Sequence, residues 1–188
     1  MHDLLDKAQE LPEGPWDVCY ADPPWPYDFS RSKSRSIESH YPPMTIEDIC
    51  NLPPKGFFAK SSVLYLWATK PKMKEAFIVM EAWDFEYKTE IVWDKVTVGN
   101  GYWCRDRHEN LMIGTRGKFS PPPEDMRPDS VQRIKKSSRH SRKPDFFRWH
   151  IERTTPDLKR IELFATEEYP NWTAWGNTKR QTNFSWAS

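Results

Sequence analysis

The stretch Trp16-Asp17-Val18-Cys19-Tyr20-Ala21-Asp22-Pro23-Pro24-Trp25 decides how the rest of the chain is read. Its first six residues are short, apolar and rich in strand formers, which predicts a buried strand. Asp22-Pro23-Pro24 ends that strand abruptly, because proline fixes its φ and has no N–H to give a ladder. In open α/β sheets, ligands bind beyond the carboxyl ends of the strands. An acidic side chain at this point stands where chemistry is done.

Working outward, Ser62 to Ala68 is the most apolar run and predicts a central strand. Further strands are predicted at Tyr87–Trp93, Asn110–Thr115, Lys159–Ala165 and Trp172–Asn177. Thr45 can cap a short helix to about Leu52, with Glu47 and Asp48 in its first turn. Pro71 can open a second helix, whose Met73, Ala76, Phe77 and Met80 lie at helical spacing. Pro144 opens a third, with Phe146, Phe147, Trp149, His150 and Ile151 on or near its buried face. Strands alternating with helices predict an α/β fold with a mainly parallel central sheet and helices on both faces. Residues 1–15 read as an N-terminal extension, a short polar helix and a turn, on a single domain spanning 1–188.

Composition narrows the function. The 188 residues hold 28 Lys plus Arg against 27 Asp plus Glu, so net charge advertises no polyanion binder. The charge is nevertheless polarised. Residues 116–143 read as a basic loop region with nine basic and three acidic residues, whereas residues 1–28 carry seven acids and one lysine. The seven glycines spell neither G-x-G-x-x-G nor a P-loop, which disfavours ordinary dinucleotide binding and P-loop hydrolysis. Three widely spaced cysteines suggest reduced thiols in a cytoplasm, and the start Met1-His2-Asp3-Leu4-Leu5-Asp6 does not read as a signal peptide. No apolar run approaches the ~20 residues of a membrane span. With no C-x-x-C or H-x-x-x-H pairing, no metal site is expected.

Asp22-Pro23-Pro24-Trp25 suits one chemical problem. The exocyclic amine of adenine is a poor nucleophile because its lone pair is delocalised into the ring. A fixed Asp22 carboxylate can accept one N–H of that amine, and the Pro23 carbonyl the other. Two such acceptors favour a pyramidal nitrogen whose lone pair faces an incoming methyl group, and the prolines stiffen the arrangement. Trp25 is expected to offer a ring on which an extruded base stacks. The competing account is a strand-ending turn with a capping aspartate.

Several ordered motifs together resemble the MT-A70-like family of S-adenosylmethionine-dependent N6-adenine methyltransferases, in its compact bacterial or phage form. Asp22-Pro23-Pro24-Trp25 resembles the catalytic D-P-P-W, and Tyr41-Pro42-Pro43-Met44 the Y-x-x-M element whose tyrosine helps form the adenine pocket. Val92-Trp93-Asp94-Lys95 is similar to the W-x-K strand end, and Tyr102-Trp103 through His108-Glu109 to the aromatic and H-E segment that follows. His140-Ser141-Arg142-Lys143-Pro144-Asp145 resembles the S-x-K-P-D helix start. Ile161-Glu162-Leu163-Phe164-Ala165 and Pro170-Asn171-Trp172 to Asn177 resemble the last two motifs, over residues 16–178 in all.

The resemblance implies a Rossmann-like methyltransferase fold in which the catalytic motif precedes the cofactor-binding half. It implies S-adenosyl-L-methionine held by Asp22, Pro23, Lys143, Phe164 and the residues after it (Thr166, Glu168), and Asn177 with Thr178. Thr166-Glu167-Glu168 stands where relatives place a basic residue, so the ribose partner stays open. Catalysis falls to Asp22, Pro23, Pro24 and Trp25; substrate binding to Trp25, Tyr41, Arg133, Lys135 and Lys136. The expected partner is nucleic acid, DNA, with short or relaxed sequence preference and no membrane; a homodimer stays open. Trp93 reads as core, Trp103 stays open between core and site, and Glu109 has no assigned role. Basic residues 30–36 and 116–143 are expected to lie along phosphates. Two alternatives stay open: RNA N6-adenosine methylation, and a silent methyltransferase-like subunit that only grips nucleic acid.

Overall fold

Seven strands form one sheet in the order β5-β3-β4-β2-β1-β6-β7. They belong to a computed structural model that describes residues 10–27, 44–101, 103–136 and 142–176. The strands are β1 (Trp16–Ala21), β2 (Phe58–Thr69), β3 (Glu86–Asp94), β4 (His108–Arg116), β5 (Val131–Arg133), β6 (Arg160–Leu163) and β7 (Thr173–Trp175). Pairing is parallel except where β4 runs antiparallel between β2 and β3. The mainly parallel α/β fold expected from the sequence is therefore present, with one reversed strand. That reversal has a use: the start of β4 meets the carboxyl ends of its neighbours, with Glu109 in register with Thr69 and Trp93.

Helices cover both faces. On one, α1 (Ile46–Asn51) and α2 (Met73–Ala82) bury Ile49, Ala76, Val79 and Met80 against Cys19, Ala21, Leu64, Leu66 and Leu163. On the other, α3 (Asp145–Thr154) buries Phe147 and Ile151 against Val18, Tyr20, Tyr65, Trp67 and Leu111. The alternation along β1 and β2 sends successive side chains to opposite faces, and both faces are apolar, as a doubly covered sheet requires. Thr45 caps α1, its Oγ1 accepting from Asp48 N at 3.1 Å. No described helix is long and apolar enough to cross a membrane.

Two local expectations are corrected, and one left open is decided. Phe77 and Trp149 point outward, Phe77 pairing with Tyr87 on the surface at a ring-centroid distance of 5.1 Å, because α2 and α3 bury narrower stripes than predicted. Trp103 is not core but fully exposed. The 116–143 segment is not one loop: Val131–Arg133 adds β5 to the sheet edge, and Phe119 and Ile134 pack on the core. Residues 1–9 of the expected N-terminal helix lie outside the described residues, while 10–15 have no regular structure.

Candidate active site

The carboxyl ends of β1 and β3, the start of β4 and the entry to α3 converge on one charged cluster. Asp22 follows β1 directly, and its Oδ2 accepts from Lys143 Nζ at 2.6 Å. The same ammonium lies 3.2 Å from Glu109 Oε2, and Lys95, just past β3, pairs with Glu109 Oε1. Two carboxylates and two ammonium groups thus alternate in space. Beneath them Trp67 supplies an apolar floor, with Lys143 Nζ 5.2 Å above its ring centroid. Trp67 is itself held on several sides. Its indole N–H donates to Tyr20 Oη at 2.7 Å, and its ring meets Phe147 edge-on at 4.8 Å.

Burial and charge set the protonation of this cluster. Desolvation pushes the Asp22 carboxyl above its ordinary value; Lys143 pulls it down and Glu109 pushes it up again. Burial also works against the Glu109 carboxylate, but Lys143 and Lys95 overcome it and hold its pKa at about 2. Burial disfavours charge on Lys143, and Asp22 and Glu109 more than restore it, so its pKa lies above the ordinary lysine value. Lys143 and Glu109 are fixed charges across the physiological range. Asp22, with 31% of its side chain accessible, is the member that can meet a ligand as a hydrogen-bond acceptor.

The tetrapeptide is shaped by its own backbone. Trp25 N donates to Pro23 O at 2.8 Å, and Met44 N donates to Pro24 O at 3.1 Å. The Pro23 carbonyl therefore has one lone pair engaged and one left for a second donor. Trp25 differs from the sequence expectation. Its ring is 5% exposed in the core, and its N–H donates to Trp67 O at 3.0 Å. It builds the turn and offers no open stacking face, because an indole N–H buried there must find an acceptor. Tyr27, which the sequence reading passed over, is the accessible ring, 52% exposed. Its hydroxyl shares a 2.7 Å hydrogen bond with Thr69 Oγ1, and Lys72 Nζ lies 5.5 Å from its ring centroid. That hydroxyl also feels the charges of Glu109, Asp22 and Lys143.

A second polar cluster supports the loop after β6. Arg148 Nη2 bonds both carboxylate oxygens of Glu162, at 2.9 and 2.7 Å, and its guanidinium lies 3.5 Å over the Tyr169 ring. Arg142 Nη2 bonds Asp145 at 2.9 Å and Tyr169 Oη at 3.3 Å. Phe164 sits at φ +63° and packs on Trp175 at 5.7 Å. Its side chain is core. Thr166 and Glu168 are exposed on that loop. Gly176 lets the chain pass over the turn, since a Cβ there would collide with the backbone of Phe164 and Ala165. Arg133, Lys135 and Lys136 lie exposed at and after β5, beside Asp94 and Lys95. Tyr41, Asn177 and Thr178 lie outside the described residues.

A family model, MT-A70, matches residues 16–178. The Type II methyltransferase M.MunI from Mycoplasma sp is 32% identical over 187 residues, covering 89% of this chain and 79% of M.MunI. The chain belongs to the MT-A70 family. This MT-A70 protein is accordingly a methyltransferase, as the motif order implied. It is also 27% identical over 176 residues to the human N(6)-adenosine-methyltransferase catalytic subunit METTL3, covering 87% of this chain but 28% of METTL3. The Drosophila melanogaster N(6)-adenosine-methyltransferase MT-A70-like protein is 25% identical over 174 residues. Within the MT-A70 frame, Lys95 and Glu109 belong to the W-x-K and H-E motifs, and the structure joins them to Asp22 through Lys143. Trp67 and Arg148 carried no signal beyond ordinary strand and helix positions.

Proposed function

We propose that this MT-A70 methyltransferase moves a methyl group from S-adenosyl-L-methionine to the N6 amine of adenine in DNA. One observation carries the reading: a partly accessible carboxylate, Asp22, stands at the end of a buried strand, fixed by a 2.6 Å bond from Lys143. Asp22 accepts one amine N–H and the free lone pair of the Pro23 carbonyl accepts the other. That pair orients the nitrogen lone pair away from the backbone. As the nitrogen gains positive charge on alkylation, the adjacent carboxylate stabilises it from a position set before reaction begins, and the methylated amine then releases one N–H proton to become neutral. Tyr27 takes the stacking part first expected of Trp25, with Tyr41 as the second pocket residue.

The residues present fit the donor. Arg142, with Nε 3.6 Å from Glu167 Oε2 and Nη2 on Asp145, and the start of α3 at Pro144, which no described side chain caps, stand beside Lys143. With Lys143 these make a cationic rim for an α-carboxylate, while Asp22 suits an α-ammonium. Thr166 and Glu168, with Asn177 and Thr178, would take the ribose and adenine edges. The bound donor supplies an electrophilic methyl on a sulfonium; the protein supplies alignment and charge.

The N6 assignment is supported by relatives named N(6)-adenosine-methyltransferases. DNA is preferred because the match to M.MunI, a Type II methyltransferase, spans 79% of that protein, against 28% of METTL3. Labelled S-adenosylmethionine offered with matched single-stranded DNA, duplex DNA and RNA tests the reading. Incorporation into DNA as N6-methyladenine is expected; preference for RNA would favour adenosine methylation there, and no incorporation with any of the three would favour a silent subunit.

A further inference from the structure

The β3–β4 connection, residues 95–107, rises from the charged cluster with Lys95 at one foot and Glu109 just beyond the other. Among its described residues it is pinned at several points. Lys95 N donates to Arg107 O at 2.9 Å, and Gly99 N to Asp106 O at 2.6 Å. Arg107 grips Asp94 with Nε at 2.7 Å and Nη2 at 3.1 Å, and Lys70 Nζ lies 2.6 Å from Asp106. The tip is tight, because a Cβ on Gly101 would collide with the Cys104 carbonyl. On this braced tip Trp103 is fully exposed.

A single exposed apolar side chain is ordinary. A whole indole in water on a loop braced this way is not, because burying it would remove roughly 150–250 Å² from solvent. Its loop carries both signs of charge, with Asp94 and Asp106 taken up by Arg107 and Lys70. Arg105 and Arg107 lie on its own loop, and the segment after β5 runs alongside, with Ile134 N donating to Asp94 O and Lys136 N to Lys95 O. That brings Lys135 and Lys136 to the foot of the loop, beside Lys95. Lysine is depleted at protein–protein interfaces. An exposed aromatic ring on a loop whose foot is lined by lysines and arginines is a composition that stacks a base while its phosphates are neutralised.

We propose that Trp103 stacks an unpaired base beside the target nucleotide. The inference rests on the nucleic-acid reading of the site and adds a second contact, outside the catalytic cluster. The test is anisotropy of an end-labelled single-stranded oligodeoxynucleotide, and of its duplex, with wild type, W103A and W103F, each at several salt concentrations. Because the ring is exposed, W103A should unfold at the wild-type temperature. Expected is single-strand binding weakened on the order of tenfold in W103A and largely kept in W103F. The salt slope should not change, since no charge is removed. Wild-type affinity in W103A, or a changed slope, would overturn the proposal. So would loss of a wild-type dimer in W103A, which would assign the ring to a second copy. If wild type binds and methylates DNA while W103A does so equally, only this inference fails; if wild type binds no oligonucleotide, the site reading fails with it.

Discussion

Lys143 Nζ donates to Asp22 Oδ2 at 2.6 Å from 121 positions away in the chain, and the same ammonium reaches Glu109 at 3.2 Å. The acceptor at the end of β1 is therefore one member of an alternating charge cluster, and its behaviour depends on residues from three other elements.

Replacing Asp22 by Asn keeps the shape but presents N–H donors to the target amine. The turnover rate should fall on the order of 10²–10³-fold, while calorimetry still detects S-adenosylmethionine. Turnover near wild type in D22N would remove the carboxylate from the mechanism.

The pH dependence follows from the signs at Asp22. Desolvation raises its pKa, so the ionised acceptor forms, and activity appears, at higher pH than for an ordinary aspartate. Lys143 lowers that pKa and Glu109 raises it. Single-turnover rates at saturating donor should show the acid limb moving up in K143Q and down in E109Q. Glu109 itself, held at about 2, stays ionised across the assay, and its contribution to stability is lost progressively as pH falls from the ordinary glutamate range toward that value. Shifts of equal sign in the two variants would contradict the cluster.

Trp25 and Tyr27 should separate stability from substrate binding. Trp25→Ala empties a core position and strands the Trp67 carbonyl, at a cost of about 3–5 kcal/mol by urea unfolding. Tyr27→Ala, at an exposed ring, should leave the unfolding midpoint nearly unchanged and raise KM for the polynucleotide; Tyr27→Phe should retain most of the affinity.

Arg148 and Glu162 form a buried pair with side-chain exposures of 9% and 13%. Arg148→Met leaves the carboxylate without its cation and should destabilise the fold by about 3–5 kcal/mol. The double variant R148M/E162M should lose less than the sum of its single changes. Strict additivity in urea titrations would mean the two side chains do not act as a unit.

Neutralising Arg133, Lys135 and Lys136 to Gln should flatten the plot of log affinity for DNA against log salt by roughly 2–3 in slope. These side chains are exposed beside the site, and an unchanged slope would clear them of phosphate contact.

Most of the framework was legible in the sequence because it is local. Val18 to Ala21, Val63 to Ala68 and Ile161 to Leu163 are short apolar runs, and Pro23, Thr45 and Pro144 mark boundaries through their own backbone chemistry. The placing of Asp22 at a strand's carboxyl end followed from the same pattern. What local pattern could not carry was partnership between distant residues. Nothing in the sequence around Trp25 says that its indole is spent on Trp67, which leaves Tyr27 as the open ring. Nor does it say that reversing β4 brings Glu109 to Lys95 and Lys143. The amino-acid order set the buried runs at the centre of the sheet and where the carboxylate stands; only tertiary packing added the edge strand β5 and decided the carboxylate's charge state and which aromatic ring stays open, because these depend on desolvation and on neighbours supplied by other strands.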